Sequence, residues 1–540
     1  MEMEAPKLRS AFSRAWLVVI AAASTSTLAL VASPAHAQES WPPPNPPRVD
    51  LPPDKGAPVA PTPPPPPPVV EPLPPAAPAE PAESTASPVE VAAPRPSAPS
   101  SSADETLVHV VAPTRPRGEL SYGSKDGQLY LRTPGDELIL LPSLRLDMDG
   151  LSSSSFATKA SDNQLVFSRA RVDAAGWVFS KAYFDLSIDF VTGPSLRHVD
   201  NYVAVAPWGD RVIFQLGQFD VPFTLENRTS DRYLDFVHRG PAIRGFAVPE
   251  NKDQGLMVHG TNPDRNFYYS AAVLNGAGPT VTGVDDKLDV MARAWIAPFS
   301  FHDPDGLRAV TVGGSAWTGD RSHGPVLTSQ TTPAGQMALD PSVYWNMPPA
   351  ANLISREQGR LRAFALELDA PFANRFGVRF EWTTKHQPLS VFDVSTPGRE
   401  MLVAGLTLSG WSSYGEVWGW VLGDNRMLGV PAEAGLQMPL RYSDLDRTSR
   451  RHGVMVAARV DYIDEKMSPG PSAVRNSLGA SGQGATKLTS FTLGASYWFT
   501  RRARVNLNYV LDRLDGSTPY ILGLQSKSDW ELLVRTSLAL

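Results

Sequence analysis

Between Lys487 and Leu540 the chain alternates apolar and polar positions through three successive segments. Phe491, Leu493, Ala495, Tyr497 and Phe499 interleave with Thr492, Gly494 and Ser496. Past a tight Thr500-Arg501-Arg502 turn, Val505, Leu507, Tyr509 and Leu511 interleave with Arg504, Asn506, Asn508 and Asp512. A polar loop then leads to Trp530, Leu532, Val534, Leu538 and Leu540, set among Glu531, Arg535 and Ser537. A period of two sends successive side chains to opposite faces of a strand, so one row meets an oily medium while the other carries full charges. Strands of roughly 9–11 residues cross a bilayer obliquely, and short turns alternating with long loops are the layout of an outer-membrane barrel rather than of a soluble sandwich.

The same alternation, followed backward, predicts strands near 137–149, 165–177, 181–191, 199–206, 211–219, 254–261, 265–275, 287–298, 306–318, 359–371, 375–386, 399–410, 452–464, 488–499, 503–513 and 529–540. These make a 16-stranded antiparallel transmembrane β-barrel, an even number as bacterial single-chain barrels require. Pro207-Trp208-Gly209-Asp210, Asn262-Pro263-Asp264, His302-Asp303-Pro304-Asp305 and Phe372-Ala373-Asn374 read as tight turns at one rim, while 220–253, 320–358 and 465–487 are long connections at the other. One segment breaks this order, because Trp411 to Arg451 reads as a long connection at the short-turn rim. A lead-in strand is expected around Gln128 to Arg132.

Full charges recur on the rows opposite the apolar ones: Arg145, Asp147 and Asp149, then Arg169, Arg171 and Asp173, Asp289 and Arg293, Arg379 and Glu381, Arg459 and Asp461, Arg504, and Arg535. An arginine on the lipid face near mid-membrane costs roughly 2–4 kcal/mol, so a dozen such residues must line the lumen. Sixteen strands enclose more space than side chains fill, which leaves an aqueous channel. Acidic and basic residues nearly balance from Leu120 onward, so net charge does not separate a weakly selective wall of paired charges from an arginine track that guides an anion.

The N-terminal quarter has another character. Lys7, Arg9 and Arg14 precede apolar runs at Trp16 to Ala23 and Leu28 to Ala32, followed by Ala35-His36-Ala37. This order predicts a signal peptide over 1–37. From Trp41 to Pro99 about two residues in five are proline. Such a segment lacks core-forming residues and favours extended polyproline II, so 38–120 is expected to be a disordered periplasmic linker ahead of a barrel domain over 121–540. Its roughly 60 residues reach about 180 Å at full extension, enough for contact with peptidoglycan or another periplasmic partner.

Gly217-Gln218-Phe219-Asp220-Val221-Pro222-Phe223-Thr224-Leu225-Glu226, continued by Arg232-Tyr233-Leu234-Asp235-Phe236-Val237-His238-Arg239, resembles the phosphate-selective porin O and P family. Tyr268 to Gly276 and Leu493 to Tyr509 resemble it as well. The resemblance implies a homotrimeric diffusion channel in the outer membrane of a Gram-negative bacterium, in contact with lipid and carrying small hydrophilic or anionic solutes. It further implies that the third loop, about 220–253, folds into the pore, with Arg228, Arg232, Arg239 and Arg244 nearest the constriction and facing Glu226, Asp231 and Asp235. The sequence is poor in lysine and its loop interleaves acids with its arginines, so the channel class is implied while phosphate preference stays open.

Other chemistry finds little support. There is no cysteine, and the formal charge of −6 excludes a strongly basic nucleic-acid binder. No Gly-x-Ser-x-Gly elbow or phosphate loop occurs, so no catalytic residue, metal or cofactor is implied. His259 and His302 read as structural, and Asp303-Pro304-Asp305-Gly306 as a turn rather than a calcium loop. A barrel serving mainly as an anchor through its proline-rich arm is the alternative from another class.

Overall fold

The computed structural model describes residues 120–539 except 126–127, 155–161, 192–196, 247–250, 280–285, 301–306, 308, 323–352, 397–398, 425–451, 470–483 and 518–525. The predicted signal peptide, the linker up to residue 119 and the turn at 302–305 lie outside the described residues.

A short hairpin, β1 (Ser121–Lys125) and β2 (Gln128–Arg132), precedes β3 (Leu138–Ser153), β4 (Asp162–Val178), β5 (Ala182–Asp189), β6 (Arg197–Val205) and β7 (Ile213–Asp220). Two short helices follow, α1 (Leu225–Arg228) and α2 (Pro241–Phe246). The chain then runs through β8 (Lys252–Thr261), β9 (Phe267–Leu274), β10 (Asp289–Ile296), β11 (Thr311–Arg321), β12 (Leu353–Glu357), β13 (Gly359–Phe372) and β14 (Phe376–Asp393). It ends with β15 (Met401–Leu422), β16 (Gly453–Pro469), β17 (Gly484–Thr500), β18 (Ala503–Gly516) and β19 (Ser528–Ala539).

From β3 onward each strand pairs antiparallel with its neighbour, and β19 closes the circle on β3, from Ala539 opposite Arg145 to Glu531 opposite Ser153. The segments β12 and β13 both pair with β14 and form one strand interrupted at Gln358, whose amide donates to the Pro388 carbonyl at 3.1 Å. The closed barrel therefore has sixteen strands, as the alternation predicts. The lead-in hairpin continues the sheet where β19 stops, with Leu131 opposite Leu140 on β3.

Burial shows which face is which. On β17, Phe491, Leu493, Tyr497 and Phe499 are exposed while Thr492, Ser496 and Trp498 are buried. On β19, Leu532, Val534 and Leu538 point outward, and Glu531 and Arg535 are almost fully buried inside. An exterior of bare leucine, valine and phenylalanine around an interior of arginine, aspartate and glutamate is stable only where the outside is hydrocarbon.

One expectation needs correction. Trp411 to Leu422 is not a connection but the second half of β15, in register with β14 and β16. Here Tyr414, Trp418 and Trp420 join polar Ser412 and Glu416 on the inward row, and Gly415 stands among Trp411, Val417 and Val421 on the outward one, so the alternation is weakened and the strand is masked in the sequence. Those aromatics face inward because a loop packs on them.

The inward-folded loop as candidate functional site

That loop joins β7 to β8 and is the third at the long-loop rim. It begins where β7 ends on the Gly-Gln-Phe motif. Gly217 has φ +131°, and a Cβ there would lie 2.2 Å from the Asn201 carbonyl oxygen on β6, so no other residue fits. Phe219, Val221 and Phe223 then bury themselves against Met257, Leu274, Met291, Trp317 and Leu361 of the inner wall, with the Phe223 and Trp317 rings edge to face at 5.7 Å. The Val-Pro-Phe run is thus an apolar root inside an otherwise polar lumen.

The chain next turns through Thr224, at φ +62°, into α1. The orphan amides at the helix start find a partner on the opposite wall: Leu225 and Glu226 N–H donate to the two Glu381 carboxylate oxygens at 2.6 and 2.8 Å, and the Tyr414 hydroxyl donates to the same group at 2.8 Å. Farther along, Val237 N–H donates to Asn508 Oδ1 at 2.6 Å, and the guanidinium of Arg504 donates to the carbonyls of Leu234 and Asp231 at 3.0 and 3.1 Å. Arg535 donates to the Val237 carbonyl at 2.6 Å while pairing with Asp149. Phe236 packs among Trp418, Trp420, Met455 and Trp498 under the Arg459 guanidinium, 4.4 Å from its ring centroid. Gly240 closes on the wall so tightly that a Cβ would meet Asp461 Oδ1 at 2.2 Å.

The predicted loop charges are brought together, Asp231 with loop Arg239, while the other loop acids pair with the wall. Glu226 pairs with wall Arg459 at 2.6 Å, Asp235 with wall Arg379, and Asp231 with both wall Arg169 and loop Arg239. Burial alone would raise the Asp231 carboxyl, but Arg169 and Arg239 outweigh it and hold the group well below the usual carboxylate range. Arg239 is a staple within the loop, donating also to the carbonyls of Glu226 and Thr229 at 3.0 and 2.7 Å. Arg228 is fully buried and bonds the Asp220 carbonyl and, at 3.4 Å, the Tyr268 hydroxyl. Arg232 and Arg244 form no ion pair among the described residues.

Of the predicted wall arginines, Arg169, Arg379, Arg459, Arg504 and Arg535 reach the loop. The others do not: Arg145 pairs with Asp147 at 2.7 Å, Arg293 with Glu367 at 2.7 Å, and Arg171 borders a cleft. Sequence reasoning missed Glu381, Tyr414, Asn508 and the inward tryptophans as loop receptors. The signal available was bulky aromatic residues on a row that should be polar. His259 is buried with Nε2 3.1 Å from Gln215 Oε1, in a structural role.

Residues 143–323, which carry β3 to β11 and the whole loop, match the family model described as phosphate-selective porin O and P. That stretch holds the Gly217–Arg239 motif on which the sequence resemblance rests. No curated protein matches the sequence. Among solved structures the chain is similar to the loop L8 deletion mutant of OmpT from Vibrio cholerae, at TM-score 0.44 and 11% identity over 75% of this chain and 100% of that one. It is also similar to an anion-selective porin from Comamonas acidovorans (0.41, 14%, 75% and 100%) and to the outer membrane channel DcaP of Acinetobacter baumannii (0.43, 10%, 75% and 97%). The porin match and the closed barrel support a channel in the outer membrane of a Gram-negative bacterium.

Proposed function

We propose that this porin passes small hydrophilic solutes by passive diffusion through a barrel narrowed by loop 220–253, and that it prefers anions. The observation that carries the preference is the division of partners. The loop acids are taken by Arg459, Arg379, Arg169 and Arg239, which leaves Arg232 and Arg244 on the loop without an ion pair among the described residues. Their field is poorly screened where the pore is narrow. Phosphate falls within this class of solute. Reversal potentials in a salt gradient across planar bilayers test the reading: the native pore should favour chloride over potassium, and Arg232→Ala with Arg244→Ala should move it toward no preference. A cation-selective native pore would refute it.

The finer attributes form part of the same proposal. Residues 1–37 are the cleaved signal peptide, 38–120 are a proline-rich arm in the periplasm available for peptidoglycan contact, and the barrel assembles as a homotrimer, as the family resemblance implies. Chemical cross-linking in native membranes tests the trimer, and a ladder ending at the monomer would refute it.

A further inference from the structure

Beneath the loop, the inner wall formed by β3 to β6 bounds a cleft of about 190 Å³ that also touches Arg232. Its charged groups differ in how well they are matched. The Asp173 carboxylate accepts from the Ser143 and Ser187 hydroxyls, Asp200 accepts from Lys252 Nζ at 2.6 Å, and Arg145 pairs with Asp147. Four groups are left without an oppositely charged partner among the described residues: the guanidinium groups of Arg171 and Arg232, and the carboxylates of Asp173, whose partners are hydroxyls, and Asp185. All four are half-buried. Arg171 and Asp185 stand on paired strands, but Arg171 is opposite Asp189 and Asp185 opposite Ala175. That four-residue offset separates their backbones by about 13 Å along the strand, at 3.2–3.4 Å per residue, and holds the two charges apart across the cleft.

We infer, building on the porin reading above, that this cleft is a binding subsite for small zwitterions of amino-acid size. The solute carboxylate lies toward Arg171 and Arg232, and its ammonium lies toward Asp185. A simple anion satisfies the arginines but meets the Asp173 and Asp185 carboxylates, and a simple cation meets two guanidinium groups, whereas a solute carrying both signs sets each of its charges against groups of the opposite sign. Size agrees, since the cleft is smaller than the roughly 300–1,000 Å³ of pockets that hold drug-sized ligands.

The test is single-channel recording in KCl with L-alanine, its uncharged isostere lactamide, and lactate. L-Alanine should interrupt the current at concentrations where lactamide does not, and more strongly than lactate. Asp185→Asn should raise the half-blocking concentration of L-alanine by about two- to fivefold, the range for a partly exposed ion pair. Arg232→Gln should do the same, which keeps the test open if Asp185→Asn does not assemble. Equal effects of L-alanine and lactamide overturn the proposal, as does block by lactate equal to that by L-alanine. Absence of any KCl steps from folded protein refutes the porin reading itself, whereas normal steps that L-alanine leaves untouched refute only the zwitterion site.

Discussion

Removing the Glu381 side chain should release the loop without unfolding the barrel. In Glu381→Ala the Leu225 and Glu226 amides lose carboxylate acceptors at 2.6 and 2.8 Å, and the Tyr414 hydroxyl loses its acceptor at 2.8 Å. A buried donor left without a partner costs about 1–3 kcal/mol, so the two amides alone weaken docking by roughly 2–6 kcal/mol. At 1.4 kcal/mol per tenfold, that shifts the balance of docked and free loop by about 30-fold to roughly 20,000-fold. Because the chain has no cysteine, a single Leu234→Cys reports on docking. Leu234 is buried against the wall, so a thiol reagent modifies the cysteine only when the loop leaves. Added to that background, Glu381→Ala should raise the labelling rate at least tenfold and make single-channel current noisier, while heat-modifiable gel mobility stays native. Glu381→Gln keeps one acceptor oxygen and should fall between the two. Unchanged labelling and unchanged noise in Glu381→Ala would refute the claim that this carboxylate pins the loop.

Three further outcomes follow from the same geometry. Gly217→Ala should lower the denaturant midpoint of the barrel by an amount corresponding to about 2 kcal/mol or more, because its Cβ meets the Asn201 carbonyl oxygen at 2.2 Å and φ is +131°; an unchanged midpoint would contradict this. Burial, then the Arg535 and Arg244 charges, push the His238 imidazole well below its usual value of about 6.5, although Asp149 lies 3.9 Å away. With the folded value below the unfolded one, its contribution to docking is complete above about pH 6.5 and lost as pH falls, so Leu234→Cys labelling, taken relative to a free thiol at the same pH because the reactive thiolate itself declines, should speed up between pH 7 and 5, and His238→Gln should abolish that change. Intact mass of protein from the outer membrane should correspond to a chain beginning at Gln38; retention of Met1 to Ala37 would refute cleavage.

The strand count, the closure of the barrel and the assignment of charged rows to the inside were legible in the sequence. A bilayer imposes a strict rule on each strand, oily outside and polar inside, and that rule acts locally with a period of two. Residues such as Leu493 and Arg535 announce their faces without reference to anything distant. The loop motif from Gly217 to Arg239 was legible through resemblance, and its charges were singled out with it. The partners of those charges were not. Whether Asp235 neutralises a neighbouring loop arginine or wall Arg379, 144 positions later, depends on how the loop crosses the lumen, and no local pattern encodes that distance. For the same reason β15 was cut short: Tyr414, Trp418 and Trp420 break the polarity rule because they serve the loop rather than the lipid. The sequence by itself determined what each strand must show the membrane, since solvent acts on every residue separately. The tertiary structure alone decided which arginines stay unpaired, because pairing is settled by what the closed barrel brings within reach.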